Sequence, residues 1–207
     1  MTPFAKILSA TLGAAVVAGC ATVAADSDYG QTALAMLKQN FRSKGPATVE
    51  RVTAQDEAQQ LCSQYPQERP AEVSARIEAA QLKTIKPPAD GKYLGSWQEG
   101  EKIAQNGRGM QSSDAIGATN GGNCYACHQV TKQEISFGNI GPSLVGYGKL
   151  RGNSDEILKY TWGKIYNAQA YAACSNMPRF GHNGILSEAQ IKDVMALLLD
   201  PRSPVNQ

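Results

Sequence analysis

In the run Gly121-Gly122-Asn123-Cys124-Tyr125-Ala126-Cys127-His128, two thiols stand two residues apart and an imidazole directly follows the second. Three chemistries use paired thiols at this spacing: a zinc knuckle, a redox dithiol, and covalent anchorage of a haem. A closed zinc site needs four ligands, but the chain has no second cysteine pair and only one other histidine, His182. A thioredoxin-type dithiol follows a strand in a parallel-sheet pattern, whereas this pair follows a glycine-rich stretch in a chain of helical periodicity. Haem anchorage uses every element: Cys124 and Cys127 reach two vinyl groups as thioethers, and His128 comes beneath the iron as proximal ligand.

A proximal imidazole needs a partner for its other nitrogen. Gly138-Asn139-Ile140-Gly141-Pro142-Ser143-Leu144 follows at the distance where class I cytochromes c carry a Gly-Pro turn, so the Pro142 carbonyl is the expected acceptor; a plain loop turn is the alternative. For the opposite axial position, Met177 lies in a loop, within Ser175-Asn176-Met177-Pro178-Arg179-Phe180, and its thioether would favour a relatively high potential without an open coordination site. His182 is the competing ligand. Arg179 is expected either at a haem propionate or as a solvated charge. Trp162 and Tyr166 fit the haem edge or ordinary core, and Met195, inside a helix, fits core.

The compartment agrees with this chemistry. Lys6 precedes an uncharged apolar run, Ile7 to Ala18, and small residues follow up to Asp26: an export leader, residues 1–25, too short to span a bilayer. Ala24 and Ala25 suit ordinary cleavage, while Val17-Ala18-Gly19-Cys20 resembles the bacterial lipoprotein box, in which Cys20 is acylated. The destination is the periplasm. Basic and acidic residues number 20 and 18, and such a balance argues against a nucleic-acid partner. With Cys20 in the leader and Cys124 and Cys127 used by haem, Cys62 and Cys174 remain, and an oxidising compartment favours a bridge between them. The alternative is a reactive Cys174 thiol near the haem.

Helices must position these groups. Leu34, Leu37 and Phe41 predict one over 31–41, ended by Lys44-Gly45-Pro46. Thr53, Asp56 and Glu57 start a second, to about Gln64, and Pro70 opens a third with Val73, Ile77, Ala80 and Leu82 near one face. Lys86-Pro87-Pro88-Ala89-Asp90-Gly91 breaks the pattern, which sets the boundary between a helical N-terminal extension, 26–91, and a mono-haem domain, 92–207. In that domain Ser96 with Glu99, Asn153 with Glu156, and Ser187 with Gln190 are expected helix starts, the last opening an apolar stripe of Ile191, Val194, Leu197 and Leu198. No stretch alternates like a strand. The expected fold is all-α: a class I cytochrome c-like domain with a helical extension.

The stretches GGNCYACHQV, GNIGPSLVGYG, YNAQAYAACSNMPRFGHNGILSEAQIKDVMALLLDP and SPVN together resemble SoxX, the cytochrome subunit of the SoxAX sulfur-oxidising complex, over about residues 92–207. The resemblance implies one covalent haem c on Cys124 and Cys127, with His128 and Met177 on the iron. It implies a heterodimer with SoxA, acting as an L-cysteine S-thiosulfotransferase that oxidatively joins thiosulfate to a cysteine of the carrier SoxYZ. The bond-forming site would lie on SoxA, and this chain would pass electrons to a small cytochrome c. The extension with Cys62 exceeds a minimal SoxX. Residue chemistry alone leads to a periplasmic one-haem electron carrier, and a freely diffusing carrier is the alternative to the complex.

Overall fold

The computed structural model describes residues 29–207; the expected leader and Cys20 lie outside the described residues. Eight α-helices are formed: α1 (Tyr29–Asn40), α2 (Glu50–Thr53), α3 (Glu57–Gln64), α4 (Ala71–Leu82), α5 (Trp97–Gln105), α6 (Tyr147–Arg151), α7 (Asp155–Tyr166) and α8 (Glu188–Leu199). Among the described residues no strand forms; Lys44 and Ala47 pair only as an isolated bridge.

The core forms where α5 crosses α8. Ile103 and Ala104 of α5 pack with Ile191, Val194, Met195 and Leu197 of α8. Each large aliphatic side chain buried there contributes about 2 kcal/mol. The crossing is close because α5 carries a glycine: a Cβ on Gly100 would sit 2.1 Å from the Asp193 carbonyl oxygen. Ser187 starts α8 with a full capping box, its hydroxyl accepting from the Gln190 amide and the Gln190 side chain accepting from the Ser187 amide. At Ser96 only half of the expected box forms. Its hydroxyl accepts from the Glu99 amide, but its own amide donates to Asp193 Oδ1 at 2.8 Å, and Glu99 turns to Lys102 instead.

Two other expectations shift. Helix α7 is capped by Ser154 rather than Asn153: Ser154 has the extended backbone of a cap, and its hydroxyl accepts from Ile157. The buried face of α4 is Ile77 and Gln81, while Leu82 is 52% exposed, so this helix meets its neighbour through a polar side chain. That neighbour is the turn at Ala168–Ala170, just after α7. The segment after α4 is tied in as well, since Trp162 Nε1 of α7 donates to the Lys86 carbonyl at 2.8 Å.

The last residues complete the core. Val205 and Asn206 are almost fully buried. Asn206 Oδ1 accepts from the amides of Gly148 and Lys149, and its Nδ2 donates to the carbonyls of Leu198 and Asp200. This one side chain thereby fixes α6 against the end of α8, with no hydrogen-bonding capacity left unmet.

Candidate functional site

Asn123, in the left-handed backbone region at φ 48°, turns the chain into a short 3₁₀ turn at Cys124–Ala126. The following loop is laced against this turn by three backbone hydrogen bonds: Gly138 N to Tyr125 O, Gly141 N to Cys127 O, and Leu144 N to Gln129 O, at 2.8–2.9 Å. The lacing sets His128. Its Nδ1 lies 2.7 Å from the Pro142 carbonyl oxygen. A carbonyl only accepts, so the proton sits on Nδ1 and the Nε2 lone pair is left free to bind a metal.

Gly141 is a site residue to which sequence reasoning assigned no role. A Cβ there would lie 2.2–2.7 Å from three atoms of the His128 ring, so any side chain at this position would displace the imidazole. In the sequence the signal is the Gly141-Pro142 pair, whose glycine leaves the space beside the ring.

Cys124, Cys127, His128 and Met177 line one cleft of about 430 Å³, within the range of cofactor sites. A smaller apolar pocket that shares Cys124, His128 and Met177 with it is lined by Val130, Ile165, Leu186, Val194 and Leu198, and Met177 packs against the same core. The two cysteines are not bonded to each other. Cys124 keeps an exposed edge in the cleft, yet its apolar surroundings push the thiol up to about 12, opposite to the depressed value that a redox dithiol uses. No group of three or more His, Cys, Asp or Glu side chains gathers as a cation site among the described residues.

The polar rim of the cleft belongs to α6 and α7. Arg151 and Lys164 are the charged residues lining it. The Arg151 guanidinium rests 5.2 Å from the Tyr147 ring centroid and 5.9 Å from that of Tyr160. Lys164 is half-buried, its ammonium making a long 3.5 Å bond to the Ala168 carbonyl; burial lowers its pKa, partly opposed by the Glu78 charge. A cleft with an apolar floor and two cations at its rim suits a flat apolar ring that carries carboxylates, and the residues present therefore fit a haem.

Four expected contributors face elsewhere. Arg179 is 5% exposed and points away from the cleft, pairing with Asp56 at 2.7 Å and donating to Gln81 Oε1 at 2.9 Å. It is thus not a solvated charge, because the extension supplies its counter-charge. His182 does not line the cleft; its Nε2 lies 4.0 Å from Asp56 Oδ2. Burial lowers its pKa, helped by the Arg179 charge and opposed by Asp56. Trp162 and Tyr166 stack on each other within the core, and Trp162 meets Tyr93 edge-on. Cys62 and Cys174 form a disulfide, with Cα atoms 5.6 Å apart, which binds α3 to the loop of Met177.

An all-helical domain whose terminal helices cross over a cleft lined by a Cys-x-x-Cys-His turn defines the class of covalent haem proteins. The cytochrome c family model matches residues 97–200, half of the chain and the whole of the cleft, and the chain belongs to that family. Membership brings a covalently attached haem c and the role of electron transfer. The chain is also 38% identical to an uncharacterized lipoprotein of Aquifex aeolicus, over 98% of each sequence. No helix of the described residues is long and apolar enough to cross a membrane.

Proposed function

We propose that this protein is an exported electron carrier holding a single haem c, anchored through Cys124 and Cys127 and ligated by His128 and Met177. The observation that carries the reading is the His128–Pro142 hydrogen bond, which leaves Nε2 free in the cleft that Met177 also lines. Bound there, the haem supplies a one-electron iron couple. The protein's own residues do the rest. Pro142 holds the imidazole tautomer, Gly141 makes room for the ring, and the apolar floor excludes water. Arg151 and Lys164, rather than Arg179, receive the propionates. A carboxylate beside Lys164 would oppose the lowering of its pKa by burial.

The lipoprotein box at Val17-Ala18-Gly19-Cys20, together with the name of the Aquifex relative, supports acylation of Cys20 and a lipid-anchored protein outside the cytoplasm. The finer reading is that the chain is the electron-accepting subunit of a SoxAX-type complex, working with SoxA on SoxYZ. Its support is the resemblance of the run from Asn176 to His182 and of the stretches around it. Purification from the native envelope followed by mass analysis tests these readings together, through one haem mass on Cys124 and Cys127, an acyl mass on Cys20, and a copurifying SoxA-like subunit. Unmodified thiols at 124 and 127 would overturn the carrier, whereas a haem-bearing monomer would overturn only the complex.

Substitution of the ligand gives the second test. Met177→Ala is expected to lower the potential or open the iron to added ligands while covalent attachment persists. An unchanged spectrum and potential would remove Met177 from the iron.

A further inference from the structure

The loop that carries Met177 is gripped on both sides by residues far earlier in the chain. On the N-terminal side, Cys174 is bonded to Cys62, the Ala173 amide donates to Glu78 Oε1 at 3.0 Å, and the Ala173 carbonyl accepts from Arg69 at 3.1 Å. On the C-terminal side, Arg179 meets Asp56 and Gln81. Gln81 Oε1 also accepts from Asn167 Nδ2 at 2.9 Å, so one buried amide oxygen joins the start of this loop to the residue two places past Met177.

Every one of these partners belongs to the extension, and none belongs to the stretch matched by the family. Within two residues of Met177, its own domain offers three local hydrogen bonds: the Met177 amide to Ser175 Oγ, the Ser175 amide to the Ala172 carbonyl, and the Asn183 amide to the Arg179 carbonyl. Arg179 is the decisive element because a guanidinium this deeply buried requires its counter-charge in place. With Asp56 present, Arg179 is fixed, and Phe180 beside it is held in the core. Without Asp56 the guanidinium must seek water, and the backbone on which Met177 sits moves with it.

We propose that the N-terminal extension is the positioning element for the Met177 thioether, with Asp56 and Gln81 as positioning residues acting through Arg179. The inference rests on the reading that Met177 ligates the iron. It also gives the extension a role: a brace that keeps the sulfur on the metal and added ligands off it.

The test uses the full-length holoprotein with imidazole as the probe, followed by the absorption signature of the thioether–iron bond. Asp56→Asn and Gln81→Leu are expected to bind imidazole at least tenfold more tightly than the unaltered protein, with haem attachment and the 62–174 bridge intact. Asp56→Glu should restore most of the protection. Arg76→Gln, which breaks the exposed pair with Glu57 inside the extension, should change nothing. Gln81→Leu keeps the test open should Asp56→Asn fail to accumulate. If Met177→Ala opens the iron while both positioning variants bind imidazole like the unaltered protein, the brace is overturned and the ligand stands. If Met177→Ala itself leaves imidazole binding unchanged, the ligand reading falls and the inference falls with it.

Discussion

The two walls of the cleft are built by different means. On the His128 side, every restraint is local: the bonds from Gly138, Gly141 and Leu144 and the Pro142 carbonyl all come from within twenty residues, and most are backbone to backbone. On the Met177 side, local turn bonds are joined by side chains and a disulfide from the extension, with partners as far as 112 residues away in sequence. Backbone lacing survives most substitutions because it uses groups that every residue carries. A polar side-chain network depends on particular residues and on the dock that brings them together. One wall is therefore intrinsic to the haem domain, and the other is lent to it by the extension.

Breaking the intrinsic wall should have the largest effect. Gly141→Val forces methyl groups into the His128 ring; overpacking of this kind costs about 1–3 kcal/mol in a tolerant core, and here the ring has a fixed task. Haem content per chain should fall severely, and any holoprotein recovered should have an altered axial spectrum. Normal haem content and spectrum would show that the lacing around His128 is looser than these contacts imply.

Loosening the borrowed wall should be milder and more selective. Replacing Cys62 and Cys174 with serine removes the cross-link over a long loop, worth about 2–5 kcal/mol by the chain-entropy argument. Thermal unfolding should shift down accordingly, with the His128 side unaffected and Met177 easier to displace. Equal loosening of both sides of the cleft would erase the distinction between the walls.

Acid should give the smallest and sharpest effect. Burial alone would raise the Asp56 pKa, but the Gln59 amide and the Arg179 guanidinium outweigh it, leaving the net value below 3.8. A depressed carboxylate contributes stability that is present above its ordinary pKa and lost as pH falls through the lowered value. Loss of the absorption signature of the Met177 thioether, followed without added imidazole because that probe is itself protonated in acid, should therefore be flat down to about pH 5 and rise only below about pH 4. Asp56→Asn should abolish that acid-side rise, which a titration monitored by absorbance would check.

The same contrast governs what the sequence disclosed. The Cys-x-x-Cys-His turn, the Gly-Pro loop and the apolar stripe of α8 are short-range patterns and can be read directly. The short α6 escaped because it has only five residues, framed by Gly146 and Gly152 at positive φ, too few for a periodicity to emerge. The buried pairing of Arg179 is hidden for a different reason: its partners, Asp56 and Gln81, precede it by about a hundred residues, and no local signal announces a buried ion pair. The polar face of α4 escaped likewise, since Gln81 looks like a solvated position until Asn167 and Arg179 are brought to it.

The disulfide has a consequence for biogenesis. Four cysteines follow residue 28; a single bridge among them can form in six ways, of which only the one joining 62 to 174 leaves both thiols of the Cys-x-x-Cys-His turn free. In order of emergence, however, Cys124 and Cys127 arrive before Cys174. A catalyst that oxidised thiols as they appeared would close the wrong bridge first and block the porphyrin. If the chain matures in an oxidising compartment, the early thiols have to be kept reduced, or a premature bridge reopened, until its last cysteine has been delivered.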